Sequence, residues 1–164
     1  MDTPLSIPER AAELFMNGYN CAQAVFGAFA ERAGIPLDAA AKMASALGGG
    51  LCRMRETCGA VSGAMLALGT LAGYSVPGND EIKMALYARG QRVMKQFKEI
   101  YGTLCCRELL GLLENAPLSP VPTPRTAEFY RVRPCARFIY EMARLTEEEL
   151  NRSPEREGAE TETK

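Results

Sequence analysis

Cys21, Cys52, Cys58, Cys105, Cys106 and Cys135 are the residues best suited to unusual chemistry in this 164-residue chain, and no histidine accompanies them. The missing imidazole removes Ser-His and Cys-His nucleophile pairs, His-ligated zinc, Rieske clusters and a haem held by the chain's own His. Sulfur remains, as a thiolate nucleophile, as half of a disulfide, or as a metal ligand. No CxxC occurs, so neither a thioredoxin-type motif nor a standard zinc ribbon is indicated. Cys105 and Cys106 are adjacent, where a disulfide would be strained.

These thiols must be positioned by helices, because strand signals are scarce and apolar residues recur at helical spacing. Ala11, Leu14, Phe15, Gly18, Ala22, Val25, Phe26 and Phe29 make a first stripe. Gly18-Tyr19-Asn20 interrupts it, and Asn20 is placed to cap a second helix. Leu37 to Leu47 reads as a short Ala-rich helix that the Gly48-Gly49-Gly50 run ends. That run, with Arg53 and Arg55, also invites comparison with an anion cradle. It lacks the phosphate-loop pattern and a preceding strand, so a helix C-cap and loop is expected instead.

Thr57 to Asn79 holds 23 residues without a charge, long enough to span a bilayer. Its Gly and Ala content makes a buried central helix, capped by Thr57, the better expectation; small residues let neighbouring backbones come close. The next helix is expected from Asp80 to Tyr101, burying Ile82, Leu86, Val93, Phe97 and Ile100, with Gly102 closing it. A shorter segment from Cys106 to Leu113 follows. Four prolines in ENAPLSPVPTPR then require an extended surface loop. Pro134 opens a last helix carrying Phe138, Ile139, Met142 and Leu145. The expectation is an all-α, single-domain bundle of five to six helices over residues 1–151. Residues 152–164 read as a disordered charged tail.

On this reading four cysteines fall at helix starts: Cys21 after Asn20, Cys58 after Thr57, Cys106 three residues past Thr103, and Cys135 after Pro134. A helix N-terminus offers unpaired N–H groups and partial positive charge, which favour thiolate or a thiolate-ligated metal centre. Arg53, Arg55, Arg107 and Arg133 lie close by in sequence and would add to the effect. Any one of these cysteines alone reads as an ordinary buried thiol. Four sharing one setting read as a site. Cys52 and Cys105 have no clear role.

Composition narrows the classes further. Nineteen basic residues against twenty acidic ones leave a net charge of −1, unlike a protein whose affinity for nucleic acid rests on a basic surface. Apolar residues reach 47%, enough for a core without disulfide staples. The opening MDTPLSIPER has no basic leader and no apolar stretch. The expected setting is therefore cytoplasmic, without membrane insertion, where clustered thiols serve metals or redox chemistry.

GYNCAQAV, the glycine run before TCGAVSG, CRELLG and a final Cys after the proline-rich loop together resemble the C_GCAxxG_C_C family of redox-active proteins. The resemblance spans roughly Pro8 to Leu150, with CGAVSG standing where the family label writes GCAxxG. It places the family's four cysteines on Cys21, Cys58, Cys106 and Cys135 and implies redox activity in a small bacterial or archaeal protein. Similar domains fused to c-type haem proteins look like iron–sulfur carriers, which adds a cluster to the expectations.

Three functions remain in view. In the first, Cys21, Cys58, Cys106 and Cys135 either cycle between dithiol and disulfide, with Cys58 attacking, or ligate a [2Fe–2S] cluster. The protein would then be a thiol-dependent oxidoreductase or an electron carrier serving an unidentified redox partner protein. In the second, the same four bind zinc in a structural or metal-carrier module. In the third, the chain is a helical interaction protein whose cysteines are only core.

Overall fold

The computed structural model describes residues 4–152, and the expected tail beyond Arg152 lies outside them. The described residues form eight α-helices and no strand. They are α1 (Ile7–Met16), α2 (Cys21–Ala28), α3 (Leu37–Ala44), α4 (Gly59–Ala72), α5 (Asp80–Tyr101), α6 (Cys106–Leu109), α7 (Ala127–Val132) and α8 (Cys135–Leu150). A 3-10 turn, Ser45–Leu47, extends α3. The all-α expectation holds, and no helix of the described residues is long and apolar enough to cross a membrane.

Local sequence explains most of the boundaries. The Asn20 side chain accepts a hydrogen bond from the Gln23 N–H at 2.9 Å, and the Gln23 side chain accepts one from the Asn20 N–H at 2.9 Å. This capping box satisfies two otherwise orphaned donors and starts α2 where the Gly18 break ends. The same two side chains donate to Ser45 and Ala41 carbonyls, which fixes the start of α2 against the end of α3. Asn79 caps α5, and Gly102 closes it in the left-handed conformation at φ +82°.

One cap differs from expectation. Cys58, not Thr57, is the N-cap residue of α4, while Thr57 forms an isolated antiparallel bridge with Cys105. Backbone pairing between residues 55–58 and 104–107 outcompetes a threonine cap. Its hydrogen bonds run from Cys58 N–H to Leu104 O, Cys106 N–H to Glu56 O, and Arg107 N–H to Arg55 O. The sixth helix is also shorter than the expected Cys106 to Leu113, because Leu110 and Gly111 turn the chain after Leu109.

α2 and α4 share the centre of the bundle, with α1, α3, α5 and α8 packed around them. The small residues of α4 do what their size suggests: Gly59, Ala60, Gly63, Ala64 and Ala67 are buried, and the helix lies directly on α2. Phe15, Phe26, Phe29, Phe97, Ile139 and Met142 fill the core. The expected inner face of α8, Phe138, Ile139, Met142 and Leu145, is buried throughout. α5 matches only in part: Val93 and Phe97 are buried, but Ile82 and Ile100 are exposed, Ile100 on the face away from Tyr101, which packs on Phe97 and Phe138. Far from the cysteines, the buried Glu149 of α8 accepts hydrogen bonds from Arg89 and Arg92 of α5 and ties the two helices together.

Candidate functional site

The four cysteines at helix starts come from opposite parts of the sequence and meet at one end of the bundle. Cys21, Cys106 and Cys135 are the first residues of α2, α6 and α8, and Cys58 is the N-cap of α4. Their sulfurs lie within electrostatic range of one another, Cys21 sensing the other three. Packing enforces the convergence: a Cβ on Gly59 would lie 3.0 Å from the Cys21 Cβ. The backbone pairing already described sets Cys58 opposite Leu104 and Cys106 opposite Glu56, so the two cysteines stand diagonal to each other across it.

The four are not equivalent. Cys21 and Cys135 are partly exposed, whereas Cys58 and Cys106 are buried. Cys21, Cys106 and Cys135 line an open cavity of about 400 Å³, with Cys58 behind it. A side-chain hydrogen bond links the Cys21 and Cys135 sulfurs, raising the one thiol and lowering the other. That bond, reinforced by the Arg133, Arg125 and Arg55 guanidiniums and opposed by burial, brings the Cys135 thiol down to about 7. Cys21 is pushed the other way, first by that bond and then by burial.

Burial pushes Cys58 up to about 12 despite the N–H groups of Ala60 and Val61 at the start of α4. It also raises Cys106, although the Arg55 Nη1 lies 3.9 Å from its sulfur. The four cysteines at helix starts do come together, but Cys58 is buried and its thiol is pushed up rather than down. Gly59 does not expose Cys58, which is 5% accessible, because the glycine faces Cys21 and the Leu47 carbonyl. Desolvation outweighs the helix terminus at Cys58, whereas at Cys135 the Cys21 hydrogen bond, joined by Arg133, Arg125 and Arg55, reverses the balance. Alkylation of Cys135 is accordingly expected to accelerate about tenfold per pH unit below about 7 and to level off above about 8. A rate still climbing through pH 9 would contradict this; iodoacetamide kinetics followed by peptide mass spectrometry make the measurement.

Two cavity walls were not foreseen. The first begins at Gly49, where the chain makes a left-handed turn: Gly49, Gly50, Leu51, Cys52 and Arg53 all have positive φ, as does Arg55. L-residues pay about 1–2 kcal/mol each for this conformation. Hydrogen bonds from the N–H groups of Arg53, Arg55 and Glu56 to the Gly48, Gly49 and Gly50 carbonyls hold it. Glycine is required at position 50, where a Cβ would sit 2.7 Å from the Cys106 Cβ. The result is more than a C-cap, since the turn carries Arg53 and Arg55 to the cavity.

The second wall is the proline-rich loop, which folds back over the site. The Arg53 Nε donates to the Ser119 carbonyl at 2.9 Å, and Pro120, Pro122, Thr123 and Arg125 line the cavity. Arg125 stacks on Phe15 and Phe129 with its guanidinium 4.6 and 4.7 Å from the ring centroids, and donates to the Tyr19 carbonyl. Phe129 belongs to α7, a helix that periodicity did not reveal in six residues. Arg107, by contrast, turns away and donates to the Leu113 and Ala116 carbonyls.

The two remaining cysteines differ in exposure. Cys52 is exposed at the cavity rim, its thiol 3.4 Å from the Ala46 carbonyl. Cys105 is the N-cap of α6, and its thiol donates to the Arg55 carbonyl. Among the described residues, no three Cys, Asp or Glu side chains stand together in an arrangement that could hold a metal ion.

No curated protein and no solved structure matches the chain. A family model does match residues 19–149, a span that contains all six cysteines and both cavity walls. The chain belongs to the C_GCAxxG_C_C family, described as putative redox-active proteins.

Proposed function

We propose that the protein is a thiol–disulfide oxidoreductase in which Cys135 is the attacking thiolate and Cys21 the resolving thiol. The observation that carries this reading is the hydrogen-bonded pairing of the two sulfurs at the wall of an open cavity, with the Cys135 thiol lowered and the Cys21 thiol raised. In the first step the Cys135 thiolate attacks a substrate disulfide. A bond forms to one substrate sulfur and the other leaves as a thiolate. In the second step Cys21 gives its proton to that leaving group or to solvent and attacks the Cys135 sulfur, releasing the remaining substrate thiolate. Two electrons pass from the protein dithiol to the substrate disulfide, and the protein is left with a Cys21–Cys135 disulfide. The reverse sequence oxidises a substrate dithiol.

Cys58 and Cys106 form a second, protonated dithiol behind the first. Exchange with the Cys21–Cys135 disulfide would carry the oxidation inward and restore the outer pair. Cys58 is thus a relay.

The test is to purify the protein without oxygen and to record its visible spectrum, iron, zinc, acid-labile sulfide and free thiols on one sample. The expected sample is colourless and metal-poor, and loses two or four thiols on mild oxidation. Absorbance between about 400 and 600 nm with iron and sulfide would replace this reading with a [2Fe–2S] electron carrier. Stoichiometric zinc would make the protein a zinc module held by four thiolates. Unreactive thiols in a metal-free sample would leave a helical interaction protein with core cysteines.

A further inference from the structure

The cavity beside Cys21 and Cys135 has a lopsided charge. Arg53, Arg55, Arg125 and Arg133 all line it, and among the described residues no aspartate or glutamate does. They come from three separate parts of the fold: two from the left-handed turn, one from the proline-rich loop, one from the residue before Pro134. None has a carboxylate within ion-pair distance among the described residues, whereas Arg10, Arg89, Arg92, Arg131 and Arg144 all do. The contacts these four do make are to neutral groups and sulfur. Arg53 and Arg125 give one N–H each to backbone carbonyls, Arg133 stacks on Phe129, and Arg55 approaches the Cys106 sulfur. Most of their donors are left for a ligand. Four guanidiniums gathered around a single Cys135 thiolate leave an excess of positive charge, and a bound anion relieves it.

The size of the cavity narrows the class of anion. A space of about 400 Å³ falls in the range of small-molecule sites and far exceeds what a single oxyanion fills. Four guanidiniums, moreover, outweigh the charge of one carboxylate. We propose that this cavity selects a small organic disulfide bearing at least two anionic groups, which the arginines hold while its sulfur–sulfur bond faces Cys135. The inference rests on the thiol–disulfide reading above, whose redox step it leaves unchanged. It adds the substrate class: Arg53, Arg55, Arg125 and Arg133 are binding residues that favour acidic disulfides over neutral ones. The same positive field speeds the approach of an anion in dilute salt.

Two measurements keep the two ideas apart. The first needs no thiol chemistry at the pair. Dithiodiglycolate, an aliphatic disulfide with two carboxylates, is titrated calorimetrically into the Cys21→Ser/Cys135→Ser protein. Saturable binding is expected, weakened about tenfold by Arg133→Gln or by Arg125→Gln, the loss typical of one charge-assisted hydrogen bond. Circular dichroism confirms that each variant is folded, and raising the salt on the unmodified arginine set checks the same term without any substitution. No binding, or a Kd indifferent to both arginines and to salt, overturns the inference whatever the thiols do.

The second measurement compares the rates at which the wild-type protein reduces dithiobis(nitrobenzoate), a dianion, and dithiodipyridine, which is neutral. Each rate is divided by that of mercaptoethanol with the same reagent. A normalised preference of about tenfold or more for the dianion, lost at high salt, supports the inference. Equal normalised rates overturn it while leaving the exchange reaction intact. Binding of dithiodiglycolate without reduction of either reagent supports the anion site and contradicts the redox proposal instead.

Discussion

Cys135→Ser is expected to slow reduction of a small disulfide by about a thousandfold or more, because a serine hydroxyl stays protonated at neutral pH and is a far weaker nucleophile than a thiolate. The other three cysteines separate by role. Cys21→Ser leaves the first attack possible but removes the resolving thiol, so a mixed disulfide on Cys135 should accumulate, visible as a mass adduct. The serine hydroxyl can still donate to the Cys135 sulfur, so the attacking pKa should stay low there, whereas Cys21→Ala removes the donor and should raise it. Cys58→Ser should leave the initial rate within about threefold, since that sulfur is buried and held as a thiol. A Cys58→Ser protein as slow as Cys135→Ser would contradict the assignment of the nucleophile.

The second large effect concerns the scaffold. Gly63→Ala is expected to cost about 3 kcal/mol and to lower Tm by roughly 6–12 °C. The added Cβ would lie 2.5 Å from the Ala22 carbonyl oxygen and 3.0 Å from its Cα. Those atoms are helix backbone and cannot rotate away as a side chain would. Relief requires α2 to lift off α4, which moves Cys21 away from its partners, so disulfide reduction should slow as well. Gly69→Ala on the same helix is the matched control: nothing lies within 4 Å of its Cβ position, and it is exposed. Helix propensity alone applies there, and stability should rise by up to about 1 kcal/mol. Thermal unfolding of the two variants side by side makes the comparison.

Those two glycines also show where the sequence was readable. A run of small, uncharged residues states that a helix will be approached closely, and it is, along α2. It does not state which glycine faces backbone and which faces open space, because that depends on where α2 crosses. Helix starts were readable wherever a side chain does the capping, as at Asn20 and Asn79. They were misplaced at Thr57, where a long-range backbone pairing with Cys105 decides the boundary. No local rule anticipates a partner 48 positions away.

The site divides along the same line. The four cysteines could be picked from the sequence because helix starts are local and their first turns share a physical signature. Their ranking could not, because it is set by the Cys21–Cys135 hydrogen bond, by desolvation and by guanidiniums that arrive from elsewhere. Arg125 lies ten residues from Cys135 in a loop that reads only as proline-rich, yet its charge helps hold that sulfur ionised. Arg107, next to Cys106, contributes hydrogen bonds to carbonyls instead. Adjacency in sequence misled in one case and distance concealed in the other. The left-handed turn was partly legible: three consecutive glycines announced an unusual backbone. Nothing in their spacing foretold that Leu51, Cys52 and Arg53 would continue it.

The central claim is that Cys21 and Cys135, not Cys58, form the reactive pair. Its most direct test is to treat the anaerobic, fully reduced protein with one equivalent of a small disulfide, trap the remaining thiols by alkylation at low pH, and map the product by peptide mass spectrometry. A Cys21–Cys135 linkage is the expected first disulfide, with Cys58 and Cys106 alkylated. A first disulfide that joins Cys58 to Cys106, or that leaves Cys135 as a free thiol, would contradict the claim.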